Sequence, residues 1–568
     1  MSLYSSIRMA SNTIQADSIA LQVVGQNIAN ANTPGYIREE VLLSPGPTQR
    51  LGGLLLGTGV QVLAVQQKID TFLEERLRGA VSDQFSAEAQ EETYLQLEGV
   101  IGELNDTDLS TAMNRFFGSI NEILNQPEST SVRNLAMLQG KSLTEDIGRL
   151  AKRVGEMRFD INQRVTNMAS DLNRLLEEVR RLNIRIAETE VGGASTSDAV
   201  GLRDKRLEAL EDLAELIDIR VQEQDSGAVV VYAGGDWLVY EGSARQVEVV
   251  LDNDRGMAIS SIHITDVDAP LELQAGQLHG LTTARDEILG GYLDRLNDFA
   301  QTLIFEFNKL YSKGQGLNGY QEVTSEFPVD DNKVPLNSAE AGLAFTPVNG
   351  SFQVMVYNKK TGLSKTADVL VDLNGMGDDM SLEGLRDAIN ATGVGVTATV
   401  TPTGKITIKN DAVDQEFAFA GDTSGILAAL GINTFFSGTS ATDIAVNRDV
   451  RNDPAKFVAS FGGIGYDTDI AIEMAAFLDR PLSSQSGQTL SVVYDRMIGE
   501  TTQGSTVAGA TAEGARVFQQ TLRGQKLAIS GVSLDEEAVK MIAYQHSFQA
   551  SARYIQTLTE LLNTLVNL

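Results

Sequence analysis

Residues Asn27 to Tyr36 read NIANANTPGY, and they interrupt a chain that begins as an amphipathic helix. Upstream, Ile7, Ile14, Leu21 and Ile28 recur every seven residues, with Leu3, Ala10 and Val24 four before or three after, the pattern of a helix with one buried seam. Pro34 forces the residue before it out of the helical region, and Gly35 tolerates backbone angles closed to other residues. Thr33-Pro34-Gly35 must therefore end the helix. Asn27, Asn30 and Asn32 stand just before the break, where an Asn side chain satisfies loose backbone groups. On residue chemistry alone the stretch is either an ordinary terminator followed by a turn or a built joint ending at Tyr36.

The other end of the chain carries a matching signal. Gly531 is a breaker, Ser533 and Glu536 frame a capping box, and Met541, Phe548, Ile555 and Leu562 then recur every seven residues. Leu558, Leu565 and Val566 widen that stripe, while Gln545 and Thr559, like Asp17 in the first helix, are polar residues on a seam that are suited to fixing register. A helix of this kind is marginal alone in water. The two ends must pack on one another, on neighbouring molecules or on a private core.

Between the ends the period alternates. Ile161, Val165, Met168, Leu172, Leu175, Val179, Leu182 and Ile186 form an unbroken 4-3 seam, as do Leu289, Leu293, Leu296, Ala300, Leu303, Phe307 and Leu310. The first seam spans roughly 40 Å at 1.5 Å per residue, which suits a rod or bundle. Further helical patterns lie near 86–125, 130–158, 200–218 and 486–528, and Gly192-Gly193-Ala194-Ser195 marks a loop. Period two takes over at Ala228–Gly242, read as two strands around Gly234-Gly235-Asp236, and continues to about His263. It returns over 350–437, where four strand-like pieces accompany one helix capped by Ser381.

The expected fold is multidomain α+β, with terminal helical coiled-coil or bundle domains formed from both chain ends and β-rich middle domains inserted between them. The expected divisions are 1–35 with 531–568 as paired terminal helices, and 36–218 with 485–530 as a rod-like helical domain. A β-rich domain with a long helix near 281–313 takes 219–349 with 438–484, and 350–437 is an α+β insertion. A length of 568 residues accommodates roughly three or four domains of about 150 residues.

Composition narrows the function. A formal charge of −31 makes nucleic acid and anionic membrane poor partners. The absence of cysteine excludes disulfides and thiolate chemistry. The first thirty residues hold one cation, Arg8, and lack the basic head and apolar core of a cleavable secretory signal. No run approaches eighteen apolar residues, so no membrane insertion is expected.

Signals for catalysis are weak. His263, His279 and His546 fall in three different elements. GQGLNG, Gly314 to Gly319, has the spacing of a dinucleotide fingerprint but follows a helix instead of a strand. DNDRG, Asp252 to Gly256, resembles the start of a calcium loop but lacks its remaining ligands and reads as a solvated turn. Asp378-Asp379 sits in a turn without a nearby histidine. No catalytic, cofactor-binding or metal site is expected.

NIANANTPGY with its helix closely resembles the N-terminal signature of the bacterial flagellar axial proteins, the family of rod, hook and hook-associated subunits. Ser530–Leu568, opening SGVSLDEE, resembles the C-terminal signature of that family. Interior segments from Leu202, Gly235 and Leu293 resemble its hook-associated members in the same order, and Phe352–Phe436 looks like an insertion shared with some flagellins. The resemblance implies a structural, non-enzymatic subunit whose terminal helices pair in the inner tube and self-assemble in a helical array at the junction between hook and filament. A hook or rod subunit is the alternative within the family, and a binding or enzymatic module at 350–437 the alternative outside it. Implied partners are the hook protein, a second, filament-side junction protein, an export chaperone and the type III export apparatus, with no cofactor. On this reading Ile7, Ile14, Leu21, Ile28, Met541, Phe548, Ile555, Leu562 and Val566 form the assembly interface. Thr33-Pro34-Gly35-Tyr36 is the elbow, with Asn27, Asn30 and Asn32 tying off backbone groups.

Overall fold

The computed structural model describes residues 3–51, 54–102, 108–190, 199–377, 379–461 and 467–566. The expected loop at Gly192–Ser195 and one member of the acid pair, Asp378, lie outside the described residues. The chain divides into two compact units, one from residues 1–93, 159–286 and 505–568, the other from 94–158 and 287–504.

In the first unit the N-terminal helix, Leu3–Asn30, is followed by strands where the sequence reading had placed the start of a helical domain. Glu39–Pro45 pairs antiparallel with Val60–Gln67, and Thr48–Leu51 with Leu54–Gly57. Val60-Gln61-Val62-Leu63-Ala64-Val65-Gln66 is a short apolar run rich in valine, with only Gln61 and Gln66 polar, and this short signal lies between two long helical ones. The link between Leu54–Gly57 and Val60–Gln67 lies against the first helix. Asn12 donates to Thr58 O (3.1 Å), and a Cβ on Gly59 (φ +94°) would stand 3.1 Å from Met9 O, so only glycine fits.

The eight-residue seam from Ile161 to Ile186 is buried throughout. It belongs to one helix, Thr130–Thr189, that also takes in the pattern near 130–158. Three asparagines along it fasten the sheets. Asn162 accepts from Ser260 N (2.7 Å), Asn173 bonds both backbone groups of Val247 (2.8 Å each), and Asn183 bonds both of Val229 (2.7 and 3.1 Å). Spacings of eleven and ten residues are close to three helical turns, so the three amides meet one line of strand edges. Each satisfies a strand's peptide group that burial would otherwise leave unpaired. The sheets are a four-stranded meander over Arg220–Glu223, Val229–Ala233, Asp236–Tyr240 and Ser243–Ala244, and a three-stranded one over Val247–Asp254, Met257–Ile264 and Ala269–Pro270. DNDRG is the hairpin turn of the latter. Arg255 and Gly256 both take positive φ (51° and 76°) as a two-residue primed turn demands.

The second unit is built on aromatic side chains. Phe116, Phe307, Phe435 and Phe436 are fully buried with ring centroids 4.8–5.7 Å apart. Asn308 holds the last two by bonding Phe436 O (2.8 Å) and the amides of Phe435 and Phe436 (3.0 Å each). The insertion has a closed core around Phe352, Val354, Leu382, Ile406, Phe417 and Phe419, between sheets ordered 364–371/350–358/415–420 and 322–324/406–410/396–400. Ser381 caps its helix, accepting from Gly384 N (3.1 Å). That core begins before residue 350, because Tyr320, Val323, Val329 and Leu336 are part of it. GQGLNG is a close-packing loop, in which a Cβ on Gly314 would stand 2.6 Å from Ser460 O.

Candidate assembly site

The first helix and the last, Leu534–Val566, lie side by side. They are antiparallel, since Asn27 near the end of one bonds Glu537 at the start of the other. Buried positions in the first helix include Ser6, Ala10, Asp17, Ala20, Val24 and Asn27, a 4-3 seam completed by the half-buried Thr13. The expected seam of Ile7, Ile14, Leu21 and Ile28 stands one residue around the helix, and all four are only half-buried. The heptad period is therefore present, but the face against the partner helix and hairpin is small and polar. Small residues permit close approach of the backbones, and the larger side chains are displaced to the flank. One oxygen of buried Asp17, Oδ2, has no hydrogen-bond partner among the described residues.

On the last helix the seam runs Glu537, Met541, Tyr544, Phe548, Ser551, Ile555, Leu558, Leu562, of which Glu537 and Leu558 are buried. Met541, Ile555 and Leu562 are half-buried, and Phe548 is at the exposed limit. Gln545 and Thr559, expected within the stripe, are exposed and lie outside the seam. Leu534, Ile542, Tyr554, Leu561, Leu565 and Val566 are exposed as well, with Val566 77% exposed, and of these Tyr554, Leu561 and Leu565 share one stripe. At 1.5 Å per residue the last helix is about 50 Å long and the first about 42 Å.

The joint is fastened by buried charge. The first helix ends at Asn30, Gly35 takes φ +75°, and Tyr36 N returns to Thr33 O (3.3 Å). Asn27, 1% exposed, uses its whole amide: Oδ1 accepts from Glu39 N (3.0 Å) and Tyr36 OH (2.8 Å), and Nδ2 donates to Glu39 O and Glu537 Oε2 (3.0 Å each). Glu537, fully buried, also accepts from Arg38 Nε (2.9 Å) and Nη2 (2.7 Å) and from Lys540 (3.3 Å), while Arg38 Nη2 reaches Glu536 at 2.8 Å. Arg38 N donates to Ser530 O (2.9 Å). Burial alone would push the Glu537 carboxyl up, but the hydrogen bonds from Asn27 and Arg38, with the charge and hydrogen bond of Lys540, together hold it below its ordinary value. Nearby, burial raises the Asp204 carboxyl to about 6 even though it accepts from Gln67 and the Ile37 amide. The clasp thus joins the residues just past the first helix to the start of the last one, about 500 positions apart in sequence.

The other expected joint residues do less. Asn30 donates to Gln26 O (3.1 Å) and accepts from Thr33 Oγ1 (3.2 Å), whereas Asn32 is exposed and its side chain makes no hydrogen bond among the described residues. The capping box closes on one side. Ser533 Oγ accepts from Glu536 N at 3.5 Å, but the Glu536 carboxylate turns to Arg38, a stronger partner than a backbone amide. Sequence reasoning missed Arg38 and Glu537, although both adjoin flagged motifs. The histidines have separate surroundings: His263 bonds Asp268 (3.2 Å), His279 meets Ser86 Oγ (3.1 Å), and His546 is exposed on the last helix. No group of three or more acids or histidines suited to a metal occurs among the described residues. Nor is any described helix long and apolar enough to cross a membrane. What the site can do is hold two long helices at a fixed angle while presenting apolar flanks.

Comparison with known proteins adds family context. The family described as "Flagella basal body rod protein" matches residues 7–36, "Flagellar hook-associated protein FlgK helical domain" matches 94–326, and "Flagellar basal body rod FlgEFG protein C-terminal" matches 523–568. The chain is similar to Flagellar hook-associated protein 1 of Salmonella typhimurium (strain LT2), with 24% identity over 99% of both chains. It is similar to the protein of the same name from Bacillus subtilis (strain 168), with 24% identity over 100% of this chain and 98% of the relative. Its fold is similar to that of the flagellar hook junction protein FlgK from Burkholderia pseudomallei, with a TM-score of 0.51 and 14% identity over 80% of this chain and 100% of that one.

Proposed function

We propose that this chain, which is similar to Flagellar hook-associated protein 1 over nearly its whole length, is a structural subunit of the bacterial flagellum at the hook–filament junction, polymerising through its two terminal helices. The observation that carries this reading is the pair of helices itself. It is locked by the buried Asn27–Arg38–Glu537 clasp, yet it leaves Leu534, Ile542, Tyr554, Leu561, Leu565 and Val566 open to water. Apolar side chains exposed in this way are stable chiefly when something covers them, and heterologous contacts between copies that do not close a ring cover them in a helical array. The half-buried flank of Ile7, Ile14, Leu21 and Ile28 supplies the other part of the interface, and Thr33–Gly35 is the elbow.

The role is mechanical and calls for no cofactor or catalytic group. As a flagellar component the subunit works outside the cell, which it reaches through the type III export route. Its neighbours are the hook protein on one side and a filament-side junction protein on the other, and an export chaperone shields the C-terminal apolar face before assembly.

Deletion of Ser533–Leu568 tests the proposal. The middle of the chain should remain folded by circular dichroism and melting, while cells export filament subunits that fail to attach. Filaments of normal length on such cells would overturn it, and immunogold label along the whole hook would reassign the subunit to the hook.

A further inference from the structure

Within the first unit a cavity of about 480 Å³ is bounded by the start of the helix Thr71–Ile101, the helix Val200–Leu216 and the strand Arg220–Glu223. Two of the guanidinium groups that line it make no ion pair among the described residues. Arg78 is 8% exposed, its Nε is buried with no partner, and its side chain makes no hydrogen bond or ion pair among the described residues. Arg206 is 4% exposed; its Nη1 donates to Asn183 Oδ1 (3.1 Å) and Gly227 O (2.6 Å), both neutral, and its Nε has no partner.

The acids around them are committed elsewhere. Glu74 and Glu211 pair with Lys526 (3.1 and 3.7 Å), Glu190 and Glu223 with Arg203 (2.7 Å each), and Glu75 is exposed to solvent, so their charges reach the two arginines only from a distance. Burying a guanidinium without an anion is costly, and burial lowers the pKa of both groups, that of Arg206 to about 10. The remaining walls are largely apolar, including Ile69, Leu207, Leu210 and Val221, with the 65% exposed Phe72 also on the lining.

We propose that this cavity binds a carboxylate carried on an apolar body, with Arg78 and Arg206 as its anion partners. A carboxylate matches the planar guanidinium fork, and the apolar walls favour an organic acid over an inorganic anion in a space of small-molecule size. The same chemistry has two sources. One is a free organic acid; the other is an aspartate or glutamate side chain of a neighbouring copy, in a chain where 76 acidic residues face 45 basic ones.

The test is calorimetric titration of the full-length monomer with benzoate, using benzamide as the neutral isostere. Benzoate should bind saturably and raise Tm by mass action, and benzamide should do neither. Arg78→Met should weaken benzoate binding by about tenfold or more without lowering Tm, because the group it removes has no protein partner. Equal behaviour of benzoate and benzamide, or undiminished binding to folded R78M, overturns the proposal. Should R78M fail to fold, the benzoate-against-benzamide shift in the wild-type Tm decides alone. Repeating the titration on assembled chain separates the sources: benzoate excluded by assembly assigns the site to a neighbour's side chain, and retained binding assigns it to a free acid.

Discussion

The insertion core and the terminal helix pair bury opposite kinds of side chain. Around Phe417 the insertion encloses Val354, Ile406, Phe419 and Leu382, all at 1% exposure or less, so its large apolar groups point inward. The terminal pair buries Ser6, Ala10, Asp17, Asn27 and Glu537 and, apart from the buried Leu558, leaves its leucines and aromatics half or fully exposed. The first region is folded for its own stability. The second is held in shape by one charged clasp and keeps its hydrophobic free energy for a partner.

The contrast can be broken from either side. Phe417→Ala should destabilise the insertion by about 3–5 kcal/mol through lost burial and a cavity, seen as an early melting transition, while terminal-helix assembly persists. Should assembly fail as well, the two regions are not independent. Glu537→Ala strands Arg38 with only the exposed Glu536 and should cost about 3 kcal/mol, read as lost helix protection in hydrogen exchange confined to 3–40 and 530–566.

The same carboxylate fixes a pH dependence. Its folded pKa lies below its ordinary value, so its stabilisation is present above the unfolded pKa and is lost as pH falls through the folded one. Protection of the joint in the wild type should therefore decline on acidification, and Glu537→Gln should flatten that decline. The smallest effect on the monomer belongs to Leu561→Ser with Leu565→Ser. At these exposed positions each change should alter stability by no more than about 0.5 kcal/mol, yet polymerisation should be abolished. Normal polymers from that double variant would remove the distinction between the regions.

Much of this architecture was legible in the chain. The 4-3 spacing from Ile161 to Ile186, the strands around Gly234-Gly235, the cap at Ser381 and the break at Pro34 are local patterns, and each appears where local physics puts it. Less legible was the hairpin Glu39–Gln67, whose apolar runs are short beside the helices that flank it. The reading of the first helix was right in period and displaced in face. Hydrophobicity pointed to Ile7, Ile14, Leu21 and Ile28, whereas close packing selected the small residues beside them.

Sequence alone determined that both ends are helices with heptad periodicity, that a break follows the first, and that the chain carries no thiol, because these depend on neighbours along the chain and on composition. Only the tertiary structure decided which stripe turns inward, that Asn27, Arg38 and Glu537 meet, and that Arg78 and Arg206 share a cavity. Those outcomes depend on groups brought together across hundreds of residues, where burial strengthens a charge pair or leaves a charge unanswered, and no local pattern encodes which will occur.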